Sequence, residues 1–113
     1  MGILIPIAFT NNSKPKLFNK NPILTIRIDG GESWNLDHNE TIHRTVDYSE
    51  NHSIGICINN KWTYRNISVE PFINIQLSQI GKTIEIKYRP MSEDEKETAR
   101  IFARDSINYS KYV

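Results

Sequence analysis

Charge of either sign is barely in excess in this chain: fourteen Lys and Arg stand against thirteen Asp and Glu, a formal net charge of +1. With no global field, nothing draws a polyanion or an anionic bilayer, and nucleic acid is disfavoured as a partner. Cysteine is scarcer still. Cys57 stands alone, which excludes an intrachain disulfide, and its setting in Ile54-Gly55-Ile56-Cys57-Ile58 suits a small packed residue better than a reactive thiol. Long hydrophobic runs are missing, since no stretch approaches the roughly 18 apolar residues of a membrane span. Residues 1–9 are apolar, but they have no basic n-region and Pro6 interrupts them, against a signal peptide. Pro6 also stands where an N-myristoylation motif wants Ser or Thr after Gly2. The expectation is a cytoplasmic protein without membrane attachment, a non-classical secretion route being left open. Glycine is sparse too, and neither Asp29-Gly30-Gly31 nor any other glycine pair makes a phosphate-binding loop.

What the chain does have is alternation. Leu24, Ile26 and Ile28 share one parity, as do Ile54, Ile56 and Ile58, then Ile73, Ile75 and Leu77, then Ile84, Ile86 and Tyr88. This is the period of half-buried strands. Ile3, Ile5, Ile7 and Phe9 add a first strand within residues 1–10, and residues 11–22, with Pro15, Pro22 and three lysines, form a polar linker long enough to cross between sheets. Turn signals at Asp29-Gly30-Gly31, Ser49-Glu50-Asn51, Asn59-Asn60, Glu70-Pro71 and Gly81 separate the strands of a core spanning residues 23–89. At 113 residues the chain is one domain, able to bury a core without disulfides or metals. The pattern predicts a mainly β protein: a small antiparallel, Ig-like sandwich of seven or eight strands.

A C-terminal helix over residues 92–109 completes it. Ser92 is the N-cap, Glu95 completes a capping box, and Glu93 and Asp94 place negative charge at the positive end of the helix dipole. Ala99, Phe102, Ala103, Ser106 and Ile107 share one face, while Glu97, Arg100, Arg104 and Lys111 form a solvated one. The tail tyrosines Tyr109 and Tyr112 either fray or pack back on the sheet.

Ile26-Arg27-Ile28-Asp29-Gly30, then Asn39-Glu40-Thr41-Ile42, then Asn51-His52-Ser53-Ile54-Gly55-Ile56 resembles the rhythm of PEGA-like and related small Ig-like bacterial domains over residues 23–69. The likeness lacks that family's naming motif, and Asn51 stands where its glycine would be. It implies a small β-sandwich used for attachment or display, with no catalytic residue. The abundance of Ile, Asn and Lys resembles the codon bias of AT-rich genomes, in favour of a bacterial or phage origin. Five Asn-x-Ser/Thr triplets carry no weight in a chain this rich in those residues.

Candidates for chemistry are few. His38, His43 and His52 are the histidines, and Asp37, Glu40 and Asp47 lie near the first two, but the spacing is not that of metal ligands, so no metal or cofactor is expected. Ser49-Glu50-Asn51-His52-Ser53 sets hydroxyls beside an imidazole without a nucleophile elbow, and Glu93, Asp94 and Glu95 are explained by capping. The chain is therefore expected not to be an enzyme. The informative side chains are Trp34, Trp62 and Tyr64, the candidate ligand-binding residues. If Asn59-Asn60 is a two-residue turn, Cys57 faces Trp62 and Gly55 faces Tyr64, on the side away from the isoleucines. A loop one residue longer turns both aromatics into the core, the more economical answer in buried area. The leading expectation is a non-catalytic, accessory or structural module acting by protein-protein contact. It could be a homo-oligomer through an edge strand, with residues 3–9 and 83–88 as edge candidates. The alternative is a carbohydrate- or peptide-binding module using the aromatics as a stacking surface. A third, lysine-rich reading would use Lys14, Lys16, Lys20 and Arg27 against nucleic acid.

Overall fold

Each alternating segment has one apolar face to bury, and two sheets packed face to face satisfy all of them at once. The computed structural model describes residues 3–18 and 20–111, with helix side chains as far as Arg104. Its elements are β1 (Leu4–Asn11), β2 (Leu24–Ile28), β3 (Ser33–Leu36), β4 (Thr41–Asp47), β5 (His52–Ile58), β6 (Lys61–Ile67), β7 (Ile73–Ile80), β8 (Thr83–Pro90) and α1 (Glu93–Lys111). The expected Ser106–Ile107 part of the helix face and the tail tyrosines Tyr109 and Tyr112 lie outside the described side chains. No helix of the described residues is long and apolar enough to cross a membrane.

The strands form two four-stranded sheets, ordered β4-β1-β7-β8 and β3-β2-β5-β6. Neighbours are antiparallel except β1 and β7, which run parallel with Ile7 opposite Ile73 and Phe9 opposite Ile75. In immunoglobulin domains the first, second, fourth and fifth strands share a sheet; here β1 and β4 lie in one sheet and β2 and β5 in the other. The linker after β1 makes the crossing its length foretells. Ile5, Ile7, Phe9, Ile75 and Leu77 meet Leu24, Ile26, Leu36, Ile54 and Ile56 in one core. Burying each such side chain contributes about 1.5–3 kcal/mol.

One edge expectation is corrected. Residues 3–9 do not form an edge: β1 is held between β4 and β7, because it is apolar on both sides, with Ile5, Ile7 and Phe9 in the core and Ala8 under the helix. The edges are β4, β8, β3 and β6. Three are guarded in the ways that discourage pairing. The β3 strand has four residues. Register sets Arg44 of β4 opposite core residue Ile7, and Lys61 and Arg65 of β6 opposite Ile58 and Ile54, so these cations point along the inner face. On β8 the inner positions are Ile84, Ile86 and Tyr88.

Helix α1 covers the outer side of β4 and β1, where Ala8, Met91 and Ala99 are buried together against Phe72. Its start is the expected capping box: the Glu95 amide donates to Ser92 Oγ at 3.2 Å, and the Ser92 amide donates to Glu95 Oε1 at 3.1 Å. Glu95 also accepts from Arg89 Nη1 and from Asn74 Nδ2, both at 2.6 Å. Asn74 in turn accepts from Thr10, which bonds Thr41. The cap is thus stitched to all four strands of the sheet below it. Burial alone would raise the Glu95 pKa, but the bonds from Arg89, Ser92 and Asn74 outweigh it and hold it at about 2.

At one end of the sandwich His52, 6% exposed, places Nδ1 2.6 Å from Asp29 Oδ2 and Nε2 2.7 Å from the Asp47 carbonyl. Burial pulls the pKa down. The Asp47 carbonyl, the Asp29 carboxylate and the charge of Glu50 more than offset it, so the pKa is raised above 6.5, and the protonated ring can donate from both nitrogens to these two acceptors.

Three outcomes follow from these networks. Ser92→Ala lowers stability by about 1 kcal/mol in denaturant unfolding. Glu95, depressed below its ordinary 4.5, contributes stability that is whole above that value and lost as pH falls toward about 2. Glu95→Gln should therefore flatten the acid limb of the stability profile. His52 has the opposite sign: its contribution is whole below 6.5 and declines as pH rises through the raised folded value. Melting temperatures taken from about pH 6 to pH 8 should fall in the wild type more than in His52→Gln.

Candidate functional site

The helix shields one sheet, whereas among the described residues no helix packs on the outer face of β3-β2-β5-β6. Two cross-strand rows traverse that face. One runs Ser33, Arg27, Gly55, Tyr64, the other Asn35, Thr25, Cys57, Trp62. Tight hairpins set the outer steps of each row and the β2–β5 pairing joins them: Asp29 and Gly30 have φ of 53° and 73°, and Asn59 and Asn60 have φ of 51° and 64°. Two successive left-handed residues make the turn that matches strand twist, and Asn, Asp and Gly tolerate that region best.

Within the rows, Arg27 lies across the aromatics. Its guanidinium carbon is 4.1 Å from the Trp62 ring centroid and 5.3 Å from that of Tyr64, and it donates to the Tyr64 hydroxyl. The two rings are stacked with centroids 6.4 Å apart at 25°. Gly55 makes this possible: a Cβ there would lie 2.8 Å from Tyr64 Cε1 and 3.2 Å from Arg27 Cγ. Beside them Thr25 Oγ1 donates to Asn35 Oδ1 at 2.8 Å. Trp62 is half-buried and Tyr64 is 48% exposed.

Two expectations about the aromatics are corrected here. The longer loop that would turn Trp62 and Tyr64 into the core does not occur; Ile58 pairs with Lys61, and both rings face outward. The economy of buried area misleads because β6 is an edge strand, where inward positions stay wet enough to hold Lys61 and Arg65. The other correction is that Trp34 does not join them. It shares the inward parity of Leu36, packs half-buried against the core, and lies under Arg44, whose guanidinium carbon is 4.6 Å from its ring. It closes the β3–β4 side of the sandwich. The residue that sequence reasoning missed is Arg27, taken only as a basic residue. Only half of the signal was local: the Asn59-Asn60 turn sets Gly55 opposite Tyr64, but Arg27 meets Gly55 across the β2–β5 pairing, which no turn specifies.

The face is distinct in charge as well. Arg27 is the one charged side chain in the two rows, while β8 presents Glu85, Lys87 and Arg89 on its outward positions. Trp, Tyr and Arg enriched and Lys, Glu and Asp depleted is the composition of interface cores. The histidines lie elsewhere and apart. His38 bonds Asn39 in the β3–β4 loop, and His43 faces the helix side opposite Ala8 with its pKa lowered by burial, only partly opposed by the charge of Glu95. Among the described residues no group of His, Cys, Asp and Glu is clustered to hold a metal ion. Comparison with protein-family models, curated proteins and solved structures returns no match.

Gly55→Ala tests the geometry directly. The new methyl meets a movable ring and not backbone, so stability should change by no more than about 1 kcal/mol. Trp62 fluorescence should shift as Tyr64 and Arg27 are pushed off the sheet; an unchanged spectrum would show that the stack does not rest on Gly55.

Proposed function

We propose that this chain is a non-catalytic protein-binding module, an accessory or structural component whose partner sits on the outer face of β3-β2-β5-β6. The observation that carries it is the Arg27-Trp62-Tyr64 stack laid over Gly55 on the sheet face without a helix. Arg, Trp and Tyr are the residue types that dominate binding energy at interfaces, and here they are held in place before a partner arrives.

A carbohydrate- or peptide-stacking module is the second reading, favoured by the exposure of Tyr64. Against sugar, Arg27 already covers one face of Trp62, so a pyranose must displace a cation-π contact to stack there. Self-association through an edge, if it contributes, falls to β8, whose inner positions lack the inward cations of β4 and β6.

The test uses wild type and Trp62→Ala/Tyr64→Ala as baits in extract of the native host. A partner retained by the wild type should be lost from the double variant, with affinity for the purified partner down by about 30-fold or more and the melting temperature kept. Equal capture by both baits overturns the reading. Glycan-induced quenching of Trp62, with no protein retained, transfers the face to the second reading.

A further inference from the structure

On the other sheet, between the linker after β1 and the β7–β8 hairpin, lies an open cleft of about 420 Å³. Lys14 and Lys16 line it from the linker and Lys87 from β8. Its acidic lining residue is Glu85, already 3.3 Å from Lys87 Nζ. Among the described residues, Lys14 and Lys16 have no carboxylate within ion-pair distance. A chain of net charge +1 thus gathers positive charge here.

The linker that brings these lysines is not a loose tether. The Asn12 amide donates to the Leu77 carbonyl at 2.7 Å, the Gln79 amide to Ser13 Oγ at 3.0 Å, and Ser78 Oγ to the Asn12 carbonyl at 3.1 Å. Ser13 is 2% exposed, so the segment entering the cleft is fixed on β7 from both sides of its backbone. A recess of about 70 Å³ between Ser13 and Pro22 shares Lys14, Lys16 and Gln79 with the cleft and extends it along the linker.

We propose that this cleft binds a compact, non-aromatic phosphate-bearing anion. Ammonium groups act as point charges, so three of them around one cleft suit a compact anion that concentrates several negative charges, as a phosphate or pyrophosphate does; the lining has no Arg fork to hold a flat anion by two parallel bonds. No aromatic ring lines the cleft, so a nucleobase has nothing to stack on, and Ile80 is its one large apolar residue. The size fits a small molecule and not a strand of nucleic acid. The site is separate from the Arg27 face, and either can fail without the other.

Pyrophosphate is the probe, added to the ¹⁵N-labelled full chain at low salt. Saturable amide shifts should appear at Asn12, Ser78, Gln79 and Lys87, and should weaken steeply as salt is raised. Lys14→Gln/Lys16→Gln should reduce affinity at least about tenfold, and Lys87→Gln about fivefold. All three side chains are exposed, so the variants keep the fold, which the unperturbed remainder of the spectrum verifies. Shifts spread evenly over Lys61, Lys82 and Lys96, or affinity unchanged in the double variant, overturn the proposal. Citrate bound as tightly as pyrophosphate overturns the phosphate assignment.

Discussion

Asn11, at the end of β1, has no solvent exposure, and its polar groups are all engaged. Its side-chain amide donates to the carbonyls of Pro22 and Leu36 at 2.8 Å, and its side-chain oxygen accepts from the Ser13 amide. Its backbone amide donates to the Glu40 carbonyl, and its carbonyl accepts from Asn39. One carboxamide therefore joins the end of one sheet to the end of the other, and to the two segments that pass between them. A buried polar group of this kind is stable only when wholly satisfied, and stranding one partner costs about 1–3 kcal/mol. The crossing of the linker, the pinning of Ser13 and the position of Lys14 all depend on this bond set.

Such a node explains where sequence reasoning stops. Alternation and turn residues reveal strands, because burial of one face is a local property written every second residue. The capping box of Ser92 and Glu95 is legible for the same reason: both halves lie within one turn. Asn11 looks like the first residue of a polar linker, since its partners Pro22 and Leu36 become neighbours only after the sheets have packed. The parallel pairing of β1 with β7 is hidden likewise. In β6, two local rules conflicted: Asn59-Asn60 specifies the tight turn, and apolar economy asks for the longer one. The turn prevails, because the backbone chemistry of two left-handed residues sets register, whereas an edge strand has little inward burial to offer.

The two outer faces of the sandwich thereby acquire different characters from one cause. Ala8 is small enough for a helix to approach β1, and Met91 and Ala99 fill the contact. On the other sheet Gly55 is smaller still, but the space above it is taken by an arginine and a tyrosine from its own neighbours. One small residue admits the chain's own helix; the other supports an aromatic surface turned outward.

The parallel contact between β1 and β7 also sets an order of assembly. In the β3-β2-β5-β6 sheet, β2 pairs with β3 and β5 with β6 across short turns, so most of its pairing is local in sequence. The central pair of the other sheet joins Ile7 to Ile73, and the intervening chain must be gathered before that contact forms. Loop closure over such separations makes pairing slow. On a ribosome, β1 emerges before β7 and waits for it, its apolar residues on both faces without their final neighbours in the interval. The exposure that a finished edge strand would carry permanently is borne by this central strand only during synthesis, which makes the nascent chain, more than the folded protein, the form in need of protection from aggregation.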